Sequence, residues 1–142
     1  MPGILIGIDG SDNSRKALEW AVREAGLRGT SLTVLGVHQV ATNYWTGSPE
    51  KYAQDAPETE AVRQAAEDAV QKMVSQVGGP APASVTVRAV SGVAAHELVT
   101  ASADADLVVV GSHGGGGFAR MALGSVSHQV ASHAQSPVVV IR

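Results

Sequence analysis

Two glycine-rich segments carry residue types suited to holding an anion. One is Gly7-Ile8-Asp9-Gly10-Ser11, and the other is Gly111-Ser112-His113-Gly114-Gly115-Gly116-Gly117. Consecutive glycines let backbone approach a ligand closely and take up positive φ. Past them, Gly124-Ser125-Val126-Ser127 opens a helical pattern. The first N–H groups of a helix have no intrahelical acceptor, and the helix dipole adds positive potential there. Glycine loop, helix start and the hydroxyls of Ser125 and Ser127 together form a phosphate cradle. The same residues also fit an exposed loop that runs into a Ser-capped helix, and Asp9 also fits a cap for the first helix. His113 either lines the pocket or is simply exposed.

Other chemistries lack their spacing. No Lys follows the glycines, so there is no Walker A sequence. Gly114-x-Gly116-x-x-Ala119 matches the dinucleotide fingerprint in outline but follows the fourth strand pattern, where the fingerprint belongs after the first. No Gly-x-Ser-x-Gly elbow exists, which argues against a serine hydrolase. His96-Glu97 begins a metalloprotease-like motif, yet Thr100 stands where its second His should be. The five histidines show no metal-ligand spacing. With no cysteine, disulfides, thiolate metal sites and a Cys nucleophile are excluded.

The elements that must position these residues alternate. Five β-branched runs stand at Ile4–Ile8, Leu32–Val37, Val85–Val90, Leu107–Val110 and Val138–Ile141. The last two are continuous apolar runs, the pattern of strands buried on both faces. Helical patterns lie between them. Ser14–Arg28 places Leu18, Ala21, Val22 and Ala25 on one face. Glu58–Val77 offers the stripe Val62, Ala65, Ala66, Ala69, Met73 and Val77, with Asp55 and Glu58 as a capping box. Val93–Ser102 and Gly124–Ala134 complete the set, the last with Val126 and Val130 inward. Such alternation with right-handed crossovers predicts a doubly wound α/β domain of five parallel strands and four helices. Ligands of such sheets bind beyond the strands' carboxyl ends, where the order reverses. A polar loop, Gln39–Ala56, holds Tyr44, Trp45 and Tyr52, and a Gly/Pro linker spans Gly78–Ala83.

Composition bounds the rest. The 142 residues, 44% hydrophobic, suit one domain over 1–142. Net charge is −3 without a basic run, which argues against extended nucleic-acid contact. No apolar stretch approaches 18 residues, so no membrane span is expected. The N-terminus reads as a first strand without a leader, and the expected location is cytoplasmic.

At these residues the chain resembles the ATP-binding universal stress proteins. Gly111-x2-Gly114-x9-Gly124-Ser125 is similar to their nucleotide signature. Ile8-Asp9-Gly10-Ser11 resembles their first strand end, Ala103–Gly111 the approach to the signature, and Ser136–Val140 the final strand. The resemblance covers nearly the whole chain. It implies a Rossmann-like sheet of order 3-2-1-4-5 with ATP at the crossing between strands one and four. Asp9 would hold the ribose side, directly or through a cation. Val37 would lie beside adenine with its backbone reading the base edge, and Gly7 would lie near the base. Val110, Gly111, Ser112, His113 and Gly114 would line ribose and α-phosphate. Gly124, Ser125, Val126 and Ser127 would bind the outer phosphates. The chain departs from the pattern in its extra glycines, Gly115–Gly117.

Three further expectations follow. Arg120 is the loop's only cation, so Mg²⁺ or Mn²⁺ should share the phosphate charge. Val138–Ile141 is a bare apolar edge in the implied order, and the family likewise suggests that a homodimer covers it. The implied role is regulatory, in stress response, with a protein partner of unknown identity sensing occupancy and little or no ATP turnover. A slow ATPase, an adenylyl-transfer enzyme and a nucleotide-free interaction module remain the alternatives.

Overall fold

The computed structural model describes residues 3–9, 11–39, 57–112 and 124–142. Among these, strands and helices alternate: β1 (Ile4–Ile8), α1 (Asp12–Arg28), β2 (Ser31–Gln39), α2 (Pro57–Val77), β3 (Ser84–Gly92), α3 (Ala94–Ser102), β4 (Leu107–Gly111), α4 (Ser125–His133) and β5 (Val138–Ile141). The five strands form one parallel sheet of order β3-β2-β1-β4-β5. The expected fold class and strand order are therefore what the chain adopts.

Both sheet faces are covered, which explains the continuous apolar runs. On one face Ile4, Ile6, Leu32, Val34 and Val109 pack against α1 and α2. On the other, Leu5, Leu35, Val108 and Val110 pack against Leu98 of α3 and Val130 of α4. Helix α1 is capped by Ser11, whose Oγ accepts from Ser14 N–H at 3.2 Å. It stops at Gly29, where φ of 63° suits a residue without Cβ, and the N–H groups of Gly29 and Thr30 satisfy the carbonyls of Gly26 and Ala25. Between those ends, Ala17, Leu18, Ala21, Val22 and Ala25 are buried.

Several sequence expectations shift. The α2 stripe is rotated: Ala65 and Ala69 are exposed, and Thr59, Ala66, Val70 and Met73 are buried. Alanines gave the periodicity two equivalent phases, and contact with the sheet selected the one that buries Val70. Strand β3 runs longer, at Ser84–Gly92, because it pairs with β2 over its whole length. Strand β5 is only half-buried, because an edge strand has one neighbour. Helix α1 begins two residues before Ser14, at Asp12, and α4 is confined to Ser125–His133. Asp55 of the expected capping box and the aromatics Tyr44, Trp45 and Tyr52 lie outside the described residues. No described helix is long and apolar enough to cross a membrane.

Candidate functional site

The β1–β4 ladder runs from Ile4↔Leu107 to Ile6↔Val109. Past it, β1 stays with β2 through Ile8↔Gly36, and β4 stays with β5 through Gly111↔Ile141. The two central strands thus part at their carboxyl ends. This is also where the strand order reverses, since β1 leads toward β2 on one side and β4 toward β5 on the other.

Asp9 enters this opening directly after β1 and is exposed. Its backbone N–H donates to Ser14 Oγ at 3.0 Å, and its Oδ1 accepts from Ser11 N–H at 2.9 Å. These bonds turn the chain from strand to helix. The cap of α1 is Ser11, so Asp9 organises the turn without occupying the cap position.

Ser112 follows β4 and pins four elements together. Its N–H donates to the Ile141 carbonyl at 2.8 Å, and its carbonyl accepts from Gly124 N–H at 2.5 Å. The same carbonyl accepts from Ser127 Oγ at 2.9 Å, while Asn13 Nδ2 donates to Ser112 Oγ at 3.3 Å. Ser112 and Ser127 are each 2% exposed. Their side chains are therefore committed inside the protein, and what they can offer a ligand is backbone. The pin ties the start of α4 to the end of β4, beside the opening.

The start of α4 differs from that of α1 in one respect. Its N-cap is Gly124, at φ −71° and ψ 168°, and no side chain caps the helix. The Gly124 N–H is already used by Ser112. The first-turn N–H groups of Ser125, Val126 and Ser127 have no intrahelical acceptor by geometry. Exposed Ser125 adds a hydroxyl. Three aligned donors at the positive end of a helix dipole can hold an oxyanion.

Two glycines of the expected site have packing reasons of their own. A Cβ on Gly7 would lie 2.7 Å from Leu98 Cδ1, so its bareness seats α3 on the sheet. A Cβ on Gly111 would lie 3.0 Å from the Asn13 backbone, so its bareness lets the first turn of α1 rest on β4. The Val110 side chain is core, 3% exposed. Val37 stands one residue past the last β1–β2 pair, Ile8↔Gly36, with its side chain packed toward the second core. His113, Gly114, Gly115–Gly117 and Arg120 lie outside the described residues.

The structure thus brings Gly111, Ser112 and the Gly124–Ser127 start of α4 together at the end of β4, beside the end of β1 from which Asp9 follows. Sequence reasoning missed Asn13, which touches both Gly111 and Ser112, and Ser14, which receives the Asp9 N–H. Ser11-x-x-Ser14 was a legible N-cap pattern that would have located the latter. Nothing local marks Asn13, because its partners are distant in sequence. No group of three or more His, Asp or Glu suited to a metal occurs among the described residues.

Comparison with known proteins agrees with this fold. The model of the universal stress protein family matches residues 2–142. A universal stress protein of Mycobacterium tuberculosis is 37% identical over 145 residues, with 98% of this chain and 47% of that protein covered. One from Mycolicibacterium smegmatis is 33% identical over 139 residues, with the same shares covered. The chain therefore spans about half the length of the curated relatives it matches. Universal stress protein UspA from Lactobacillus plantarum superposes with a TM-score of 0.77 at 26% identity, covering 99% of this chain and 97% of that one. A universal stress protein solved in complex with cAMP has a TM-score of 0.68 at 24% identity, covering 99% and 96%. One from Archaeoglobus fulgidus in complex with dAMP has a TM-score of 0.62 at 21% identity, covering 100% and 98%.

Proposed function

This chain belongs to the universal stress protein family, and from that premise we propose that its β1–β4 opening binds ATP as a regulatory ligand. The observation that carries the reading is the start of α4: a glycine cap, no capping side chain, and anchorage to the end of β4 through Ser112. Helix α1 is capped by the Ser11 hydroxyl, whereas α3 and α4 have no capping side chain, and of these two α4 is the one anchored to the end of β4. In this reading its first-turn donors are left for a ligand. The fold neighbours solved with cAMP and dAMP support an adenine nucleotide as that ligand.

In this reading the N–H groups of Ser125, Val126 and Ser127 receive the outer phosphates, with the Ser125 hydroxyl beside them. The Gly111–Gly114 backbone lines ribose and α-phosphate, with His113 in that loop. Asp9 faces the ribose side and Val37 the base edge. A lone carboxylate fits a divalent cation that arrives bound to phosphate, and Mg²⁺ or Mn²⁺ then supplies charge neutralisation. Turnover is not part of the reading.

Nucleotide-free, folded protein is expected to give a saturable heat on titration with ATP and Mg²⁺, and a weaker one when the metal is chelated. Absence of heat at millimolar ATP would remove the reading. Phosphate release at turnover rates in the same mixture would favour the slow ATPase instead.

The second part of the proposal is a two-fold dimer through β5. Strand β5 is a sheet edge made wholly of Val and Ile, whereas the opposite edge, β3, presents exposed Ser84, Thr86 and Arg88 beside exposed Val85. An apolar edge without a charged guard invites strand pairing, and antiparallel pairing with a symmetry mate closes it. Light scattering at tens of micromolar is expected to return twice the monomer mass. A monomer at that concentration rules the arrangement out.

A further inference from the structure

A groove of about 490 Å³ opens between α1 and α2, on the sheet face opposite α3 and α4. Small-molecule sites commonly occupy about 300–1,000 Å³. Its floor is apolar, formed by Ile8, Leu18, Met73 and Val77. Unbranched, polarizable Met73 can re-pack around varied hydrocarbon shapes.

The charged rim is not balanced. Arg15 pairs with Asp12 at 3.1 Å, and Glu19 pairs with Arg23 at 3.1 Å. Lys16 and Lys72 also line the groove, and neither has an ion-pair partner among the described residues. Two exposed ammonium groups with no ion-pair partner among the described residues therefore flank an apolar floor. A neutral hydrocarbon would fill the floor and leave both charges unanswered. A small hydrophilic anion would answer the charges and leave the floor wet. An amphiphile with an anionic head satisfies both. We propose that the α1–α2 groove binds a free anionic amphiphile, a hydrocarbon chain ending in a carboxylate. The groove adjoins the nucleotide opening at Ser11 and Ser14, which line it and hydrogen-bond to Asp9, and the proposal does not require that the opening bind ATP.

The test uses the full chain carrying ¹³C-methyl methionine. The sequence has three methionines, and a Met73→Leu variant assigns the groove signal. Monomeric decanoate, kept below its aggregation concentration, is expected to shift the Met73 signal saturably. The double variant Lys16→Glu/Lys72→Glu is expected to bind decanoate about tenfold more weakly or worse. Its melting temperature and its response to ATP should stay at the parental values, which confines the effect to the groove. Uncharged 1-decanol should bind more weakly than decanoate to the parent. The proposal is overturned by a flat Met73 signal, by equal affinity for decanol and decanoate, or by unchanged affinity in the charge-reversed variant. Binding to phosphatidylglycerol vesicles with none to monomeric decanoate also overturns it, in favour of a membrane-surface role.

Discussion

Gly124→Val is expected to abolish ATP binding while leaving a folded protein. Gly124 adopts φ −71° and ψ 168°, an extended conformation open to any L-residue. The sequence alone left open a positive φ at this position, with strain as a consequence of substitution. The structure removes that penalty. What remains is a poorer N-cap, a loss of about 1 kcal/mol, against an ordinary domain stability of about 5–15 kcal/mol. The effect on the ligand is far larger. A branched side chain at the cap stands in front of the Ser125, Val126 and Ser127 N–H groups. Losing two charge-assisted hydrogen bonds at about 1.5–3 kcal/mol each lowers affinity roughly 10²–10⁴-fold. Thermal melts and ATP titrations on one preparation separate the two quantities. Near-parental affinity in a destabilised variant would mean that the phosphates lie elsewhere, whatever the family.

Gly26→Ala is expected to destabilise the protein strongly, against the usual rule. Replacing a mid-helix Gly by Ala ordinarily stabilises by about 1 kcal/mol. Gly26, however, is buried in the last turn of α1, and a Cβ there would collide with the Pro80 carbonyl oxygen and lie 2.9 Å from its carbon. Both sides of that contact are backbone, so no rotamer change relieves it. Overpacking of this kind costs about 1–3 kcal/mol and sometimes more. It would push α1 away from the segment that follows α2. With the propensity gain subtracted, a fall of roughly 5–10 °C in melting temperature is expected for the larger costs. ATP affinity of the folded fraction should be unchanged, because the contact lies at the opposite end of α1 from Asp9. A rise in melting temperature would show that α1 and the 78–83 connection part easily.

The two glycine substitutions illustrate what a residue pattern can and cannot carry. The family resemblance puts Gly7 near the base, and Gly111 and Gly124 belong to the spaced nucleotide signature, so all three read as glycines beside a ligand. In the structure Gly7 makes space for Leu98 and Gly111 makes space for Asn13. Only Gly124 stands at an uncapped helix start. Spacing reports that a side chain is missing, and the reason depends on what packs there from another part of the chain. The serines show the same division. Ser125 and Ser127 look equivalent in sequence, yet the Ser127 hydroxyl is bonded to the carbonyls of Ser112 and Gly124, and Ser125 is exposed.

By itself the sequence determined the nine elements of the described residues and their alternation. These follow from local causes, β-branched runs and helical periodicity. It also carried the family signature, because the spacing from Gly111 to Ser125 lies within one βα unit. The tertiary structure alone decided which phase of α2 is buried, because Ala65, Ala66 and Ala69 are nearly interchangeable until the sheet selects one. It alone decided that Ser112 ties β5, α4 and α1 together, because those partners are distant in the chain. The groove beside Lys16 and Lys72 is likewise a product of packing, since the α1 and α2 residues that line it are 50 or more positions apart in sequence.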